Sequence, residues 1–144
     1  MGTRSYIVAK HSRDNLFHCI YCHWDGYPDG VGKCLVNHYQ DQAKIDALMD
    51  LGDISSLDVS PFTPPDGHTF DSPADGYVTA YRRDRGENIE DNPPADSLEK
   101  AIELCNTGGE EYHYAFIEGV WMYRRAHAQK WIDLRTELKE DENG

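Results

Sequence analysis

The sequence predicts an α+β fold, an antiparallel sheet built from two hairpins with helices packed on one face. Three observations carry that prediction: β-branched and aromatic segments pair up near both ends of the chain, apolar residues recur at helical spacing between and after them, and turn residues separate the two kinds of segment. Nine Tyr, four Phe and three Trp supply bulky apolar area. A chain of 144 residues buries roughly 70% of its unfolded surface, so one acidic domain spanning residues 1–144 is expected.

The first hairpin runs from Ser5-Tyr6-Ile7-Val8-Ala9, across the polar turn His11 to Asn15, into the strand formers of Leu16 to Trp24. Asp25-Gly26-Tyr27-Pro28-Asp29-Gly30 stops the strand, because Pro28 suits the first corner of a turn and Gly30 its exit. Asp29 is placed to cap the first helix. Val31, Cys34, Leu35 and His38 then repeat at helical spacing, and Asp41 is placed to cap a second helix through Ile45, Leu48 and Met49 to a stop at Gly52. Residues 53–76 hold Pro61, Pro64, Pro65 and Pro73 among Ser, Asp and Gly, which predicts a long surface loop. Tyr77 to Tyr81 resumes a strand, and Arg82 to Pro94 reads as a charged loop. Asp96-Ser97-Leu98-Glu99 has capping-box spacing ahead of a helix through Ala101, Ile102 and Leu104. Tyr112 to Tyr123 forms the second hairpin about Glu118-Gly119, and Ala126 to Leu138 reads as a last helix followed by a frayed acidic tail at 139–144.

The chain carries 26 acidic and 14 basic side chains, a formal net charge of −12. Such a charge repels a phosphate backbone, so direct binding of nucleic acid is disfavoured. A basic protein is the better-matched partner, because an acidic surface speeds encounter with a cationic groove. No stretch has the length of an apolar membrane span. The four Cys and an opening without a signal-like apolar core predict a reducing compartment, the cytoplasm.

Cys19-x2-Cys22, then eleven residues, then Cys34-x3-His38 has the ligand types of a structural zinc site. Cys19 and Cys22 fall three apart on one predicted strand and point to opposite faces, so both do not readily bind one ion. Cys22, Cys34 and His38 are therefore the candidate metal ligands. The plain reading of the same residues is that of small core thiols and a satisfied histidine. Gly30-Val31-Gly32-Lys33 lacks the length and following hydroxyl of a phosphate loop. A metal- or Cys-dependent enzyme using Cys22, His23 and Asp25 at the tight corner is one alternative function.

Met1-Gly2-Thr3-Arg4-Ser5, Tyr21-Cys22-His23-Trp24-Asp25-Gly26-Tyr27-Pro28, Gly32-Lys33, His38-Tyr39 and Leu51-Gly52-Asp53-Ile54-Ser55-Ser56-Leu57 resemble a family of small proteins encoded by bacteriophages and mobile elements. The likeness extends more loosely to Tyr81–Glu87 and the final Tyr/Trp hairpin. The resemblance implies a phage or integrated-element origin and action inside a host bacterial cell. Small acidic proteins from that source include anti-CRISPR inhibitors, and a Cas9-type effector holds its heteroduplex in a positively charged channel. The expected function is that of a non-enzymatic inhibitor occupying a basic surface of a host CRISPR effector, with a structural zinc stiffening the strand-to-helix corner. Asp41, Asp46, Asp50, Asp53, Asp58, Glu87, Glu90 and Asp91 are the candidate partner-binding acids. A structural component of the phage is the remaining alternative.

Overall fold

The computed structural model describes residues 2–88, 92–105 and 108–143, with side chains described through residue 138. Strands β1 (Ser5–Lys10) and β2 (Phe17–Cys22) form the first hairpin, with Ser5 opposite Cys22 and Lys10 opposite Phe17. A π-helical turn (Pro28–Gly32) leads into α1 (Lys33–His38), and α2 (Gln42–Leu51) comes after it. β3 (Ile54–Ser56), β4 (Thr79–Ala80) and α3 (Tyr81–Arg85) come next. After α4 (Leu98–Glu103), the second hairpin pairs β5 (Tyr112–Ile117) with β6 (Val120–Arg125), and β7 (Ile132–Asp133) precedes α5 (Leu134–Asn143).

Local signals place several of these elements as expected. Asp41 caps α2 by accepting the Ala43 amide at 3.1 Å, and Gly52 ends it with φ 74°, a conformation open to glycine without Cβ strain. Ser97, rather than Asp96, caps α4, its hydroxyl accepting the Lys100 amide at 3.2 Å. Asp29 lies inside the π-helical turn, whose cap is Tyr27 with no side-chain bond, so the expected Asp29 cap does not form.

Seven strands make one sheet in the order β4-β3-β2-β1-β5-β6-β7. Both hairpins are present, but the sheet is mixed, and the expected antiparallel arrangement is corrected on this point. β1 runs parallel to β5, with Ile7 beside Tyr114, and β2 runs parallel to β3 through Cys22 and Ile54. Alternation within a strand sets which face a residue occupies, but not the direction of the neighbouring strand. Helices also cover both faces, not one. Ile7, Ala9, Ile20 and Cys22 share a core with Leu35, Ile45, Leu48 and Leu134, whereas Tyr6, Val8, Cys19 and Tyr21 pack with Ala101, Ile102 and Cys105. Residues Ser5 to Ala9 are accordingly all buried, as a central strand between two layers requires.

Three further expectations change. The loop of residues 53–76 begins only at Leu57, because Ile54–Ser56 pairs as β3. The charged loop after Tyr81 opens with α3, closed by Gly86 in the left-handed conformation. The last helix begins at Leu134, since Met122 and Tyr123 take Asp133 and Ile132 as sheet partners. It extends through Asn143 over most of the segment read as a tail, and residue 144 lies outside the described residues.

Candidate interaction surface

The predicted metal ligands sit around the corner where β2 meets α1. Cys22 is fully buried in the larger core and its thiol donates to the Trp24 carbonyl at 3.5 Å. Burial pushes that thiol up to about 12, so it stays protonated. Cys34 packs half-buried against the same core and burial pushes it to about 12 as well, while His38 is exposed. Among the described residues no group of three or more His, Cys, Asp or Glu side chains is placed to hold a metal ion. For Cys22 chemistry with His23 and Asp25, the protonated thiol supplies no nucleophile, and His23 is engaged by the Tyr21 hydroxyl at 2.7 Å.

The predicted partner-binding acids are mostly engaged with their own chain. Asp46 and Asp50, one turn apart on α2, close on the β1–β2 turn. Asp46 accepts the Ser12 amide at 3.1 Å, the Ser12 hydroxyl, and Gln42 at 2.7 Å. Burial pushes Asp46 up, but those bonds outweigh it and leave the carboxyl below its ordinary value. Asp50 lies 2.9 Å from His11 Nε2 and 3.3 Å from Arg13. Because His11 Nδ1 accepts the Arg13 amide at 3.0 Å, its proton sits on Nε2, facing Asp50. Next to this pair, a cavity of about 200 Å³ is lined by Asp14, His18, Met49, Asp50 and Asn92. Asp53 is spent on the Tyr21 amide at 3.0 Å and on Asn92 at 3.2 Å, and Asp58 accepts the Val59 amide. Asp41 is the helix cap, Glu87 lies 3.7 Å from Arg85, and Glu90 and Asp91 lie outside the described residues.

Another set of carboxylates emerges from the Pro-rich loop. From Ile45 to Tyr81 the chain holds seven Asp and no Lys or Arg. Within residues 57–76 the structure forms a lobe cross-tied to the sheet. Tyr39 Oη donates to the Asp58 carbonyl at 2.6 Å, Ser60 N to Gly76 O at 2.8 Å, and Val78 N to Ser60 O at 2.9 Å. Arg83 reaches under the lobe, donating to Val78 O at 2.7 Å and Phe62 O at 3.3 Å. His68, with a side chain 1% exposed, accepts the Ala74 amide at Nδ1 and sets Nε2 3.2 Å from Asp84. The Phe70 ring lies between Tyr81 and the Arg85 guanidinium, at 5.5 and 4.9 Å.

Of the three arginines of α3, Arg83 is the one under the lobe; Arg85 lies over the Phe70 ring in a pocket that Asp71 also lines, and Arg82 donates to Asp50 O of α2 at 2.8 Å. Asp66, Asp71 and Asp75 are exposed, and among the described residues none of them takes part in an ion pair. On the same lobe Phe62 and Val59 are 49% and 38% exposed, large apolar groups left in water. The lobe thus carries three exposed carboxylates and two exposed apolar side chains on a backbone tied down by Arg83 and His68. Asp66, Asp71 and Asp75 were readable from the missing Lys and Arg between Lys44 and Arg82; the exposure of Phe62 was not, since a proline-rich segment gives no periodicity.

Compared with known protein families, with curated proteins and with solved structures, the chain matches none. No helix among the described residues is long and apolar enough to cross a membrane.

Proposed function

We propose that this chain is a binding protein that occupies a cationic, nucleic-acid-handling surface of another protein, with the lobe of residues 57–76 as the part that seats. The observation that carries the reading is the lobe itself: Asp66, Asp71 and Asp75, exposed and in no ion pair among the described residues, share a segment of twenty residues with exposed Phe62 and Val59, on a backbone pinned by Arg83 and His68. Carboxylates held at fixed spacing offer a basic groove the charge that a phosphate backbone offers it, without the cost of ordering a flexible loop. Apolar anchors within a charged patch supply slow dissociation, which charge alone does not. The resemblance to phage and mobile-element proteins read in about the first sixty residues supports a proposed setting: inhibition of a host defence effector of the CRISPR type, in the cytoplasm of a bacterial cell.

Binding kinetics of the purified chain on such an effector test this. The dissociation constant is expected to rise about tenfold between low and physiological ionic strength. The combined substitution D66N/D71N/D75N is expected to slow association by about tenfold, and Phe62→Ser to speed dissociation. Binding indifferent to salt and to the triple substitution would refute the electrostatic seat. Recovery of the chain in purified phage particles, with no affinity for effectors, would assign a structural role instead.

A further inference from the structure

A second surface lies where the chain enters β1, the corner after β2, and the open ends of β5 and β6 meet. They enclose a groove of about 500 Å³ lined by Thr3, Tyr27, Glu111, Tyr112, Arg125 and His127, among others. Its walls are fixed by hydrogen bonds. Gly26 N donates to Thr3 O at 2.8 Å, Tyr114 Oη donates to Gly26 O at 2.7 Å, and a Cβ at Gly26 would stand 2.8 Å from Thr3 O, so only glycine allows this approach. Glu111 N donates to Arg4 O at 2.8 Å and Glu111 O accepts from Ala126 N at 2.9 Å. The groove is therefore formed before anything enters it.

Its chemistry pairs aromatic faces with a carboxylate. Tyr27 is 41% exposed, its hydroxyl held by Asp25 at 3.1 Å. Glu110 is engaged with His113 at 2.9 Å, but Glu111 is exposed and, among the described residues, in no ion pair. On one wall the groove's own Arg125 guanidinium already lies 5.4 Å from the centre of the Tyr112 ring, within cation–π range, so the ring that faces an incoming group is that of Tyr27. We infer that this groove receives an arginine side chain from a segment of a partner protein, its guanidinium against Tyr27 and paired with Glu111. A planar, weakly hydrated guanidinium stacks on a ring and forks to a carboxylate, which an ammonium does less well. This surface is separate from the acidic lobe and stands whether or not the lobe seats in a basic groove.

The test is an amide-shift titration of the full chain with a Gly-Arg repeat peptide, against peptides in which Lys or the uncharged isostere citrulline replaces Arg. Shifts are expected at Tyr27, Glu111, Tyr112 and Arg125, with binding about threefold weaker for Tyr27→Ala or Glu111→Gln and weaker for the Lys peptide. The citrulline peptide is expected not to bind. The inference is overturned if citrulline binds equally, if both variants bind unchanged, or if shifts fall on the lobe of residues 57–76 alone. Should Tyr27→Ala disturb the fold, Glu111→Gln, an exposed change, decides the question by itself.

Discussion

Asp84 stands where the lobe joins the sheet, its side chain 5% exposed, with Arg83, the Ala80 amide and His68 all turned to it. Burial pushes its carboxyl up, but those three partners outweigh burial and hold it below the ordinary value. A carboxyl depressed in the folded state contributes stability that is complete above its unfolded value and is lost as pH falls through the folded one. Denaturant titrations across acid pH are expected to show Asp84→Asn less stable at neutral pH and with a shallower loss of stability below the ordinary carboxylate range. Arg83→Ala leaves that carboxylate without its main cation and cuts the ties to Phe62 O and Val78 O, at an expected cost of about 2 kcal/mol in urea unfolding. None of this was legible in the sequence. His68 and Asp84 are far apart along the chain, and a single His in a proline-rich stretch carries no sign of its partner.

At the scale of elements, α4 shows how a short helix is kept. Leu98–Glu103 is only six residues, too few for a helix to persist on its own. Arg124 of β6 forks onto Glu99 at 2.9 and 2.7 Å, donates from Nε to His113 Nδ1 at 3.1 Å, and lies 4.3 Å from the centre of the Trp131 ring. That network, chiefly the Arg124 fork, holds Glu99 below its ordinary value and ties the helix to the second hairpin. At the N-terminus, Ser97→Ala is expected to lower stability by about 1 kcal/mol, while Asp96→Ala stays within about 0.5 kcal/mol of wild type, both measured by thermal or urea unfolding. Equal losses from the two changes would return the capping role to Asp96. The helix was readable from its apolar spacing. Its cap was displaced by one residue because Asp96 and Ser97 are both good caps and only the chain direction entering the helix selects between them.

Across the whole molecule, the two hairpins meet through the parallel pair of β1 and β5, placing β1 between layers of side chains on both faces. The sheet narrows to the two-residue strands β4 and β7 at its edges, and β7 pairs with β6 only at Met122 and Tyr123. Native-state hydrogen exchange is expected to be slowest in β1, at Ile7 and Val8, and in β5 at Tyr114, and much faster in β7, where Ile132 is 43% exposed. Equal protection across the sheet would mean that β7 and its helix belong to the same cooperative unit as the centre.

Amino-acid order alone settled what depends on a few neighbouring residues: both hairpins, the Asp41 cap and Gly52 stop of α2, the apolar stripe of α4, and the surplus of acid. Strand direction between the hairpins, helices on both faces, the withdrawal of Asp46, Asp50 and Asp53 into internal bonds, and the pinning of the acidic lobe were decided by folding. Those outcomes join residues tens of positions apart, and they are chosen by the free energy of the assembled chain, in which burial on both faces of β1 and a paired carboxylate outweigh any local preference.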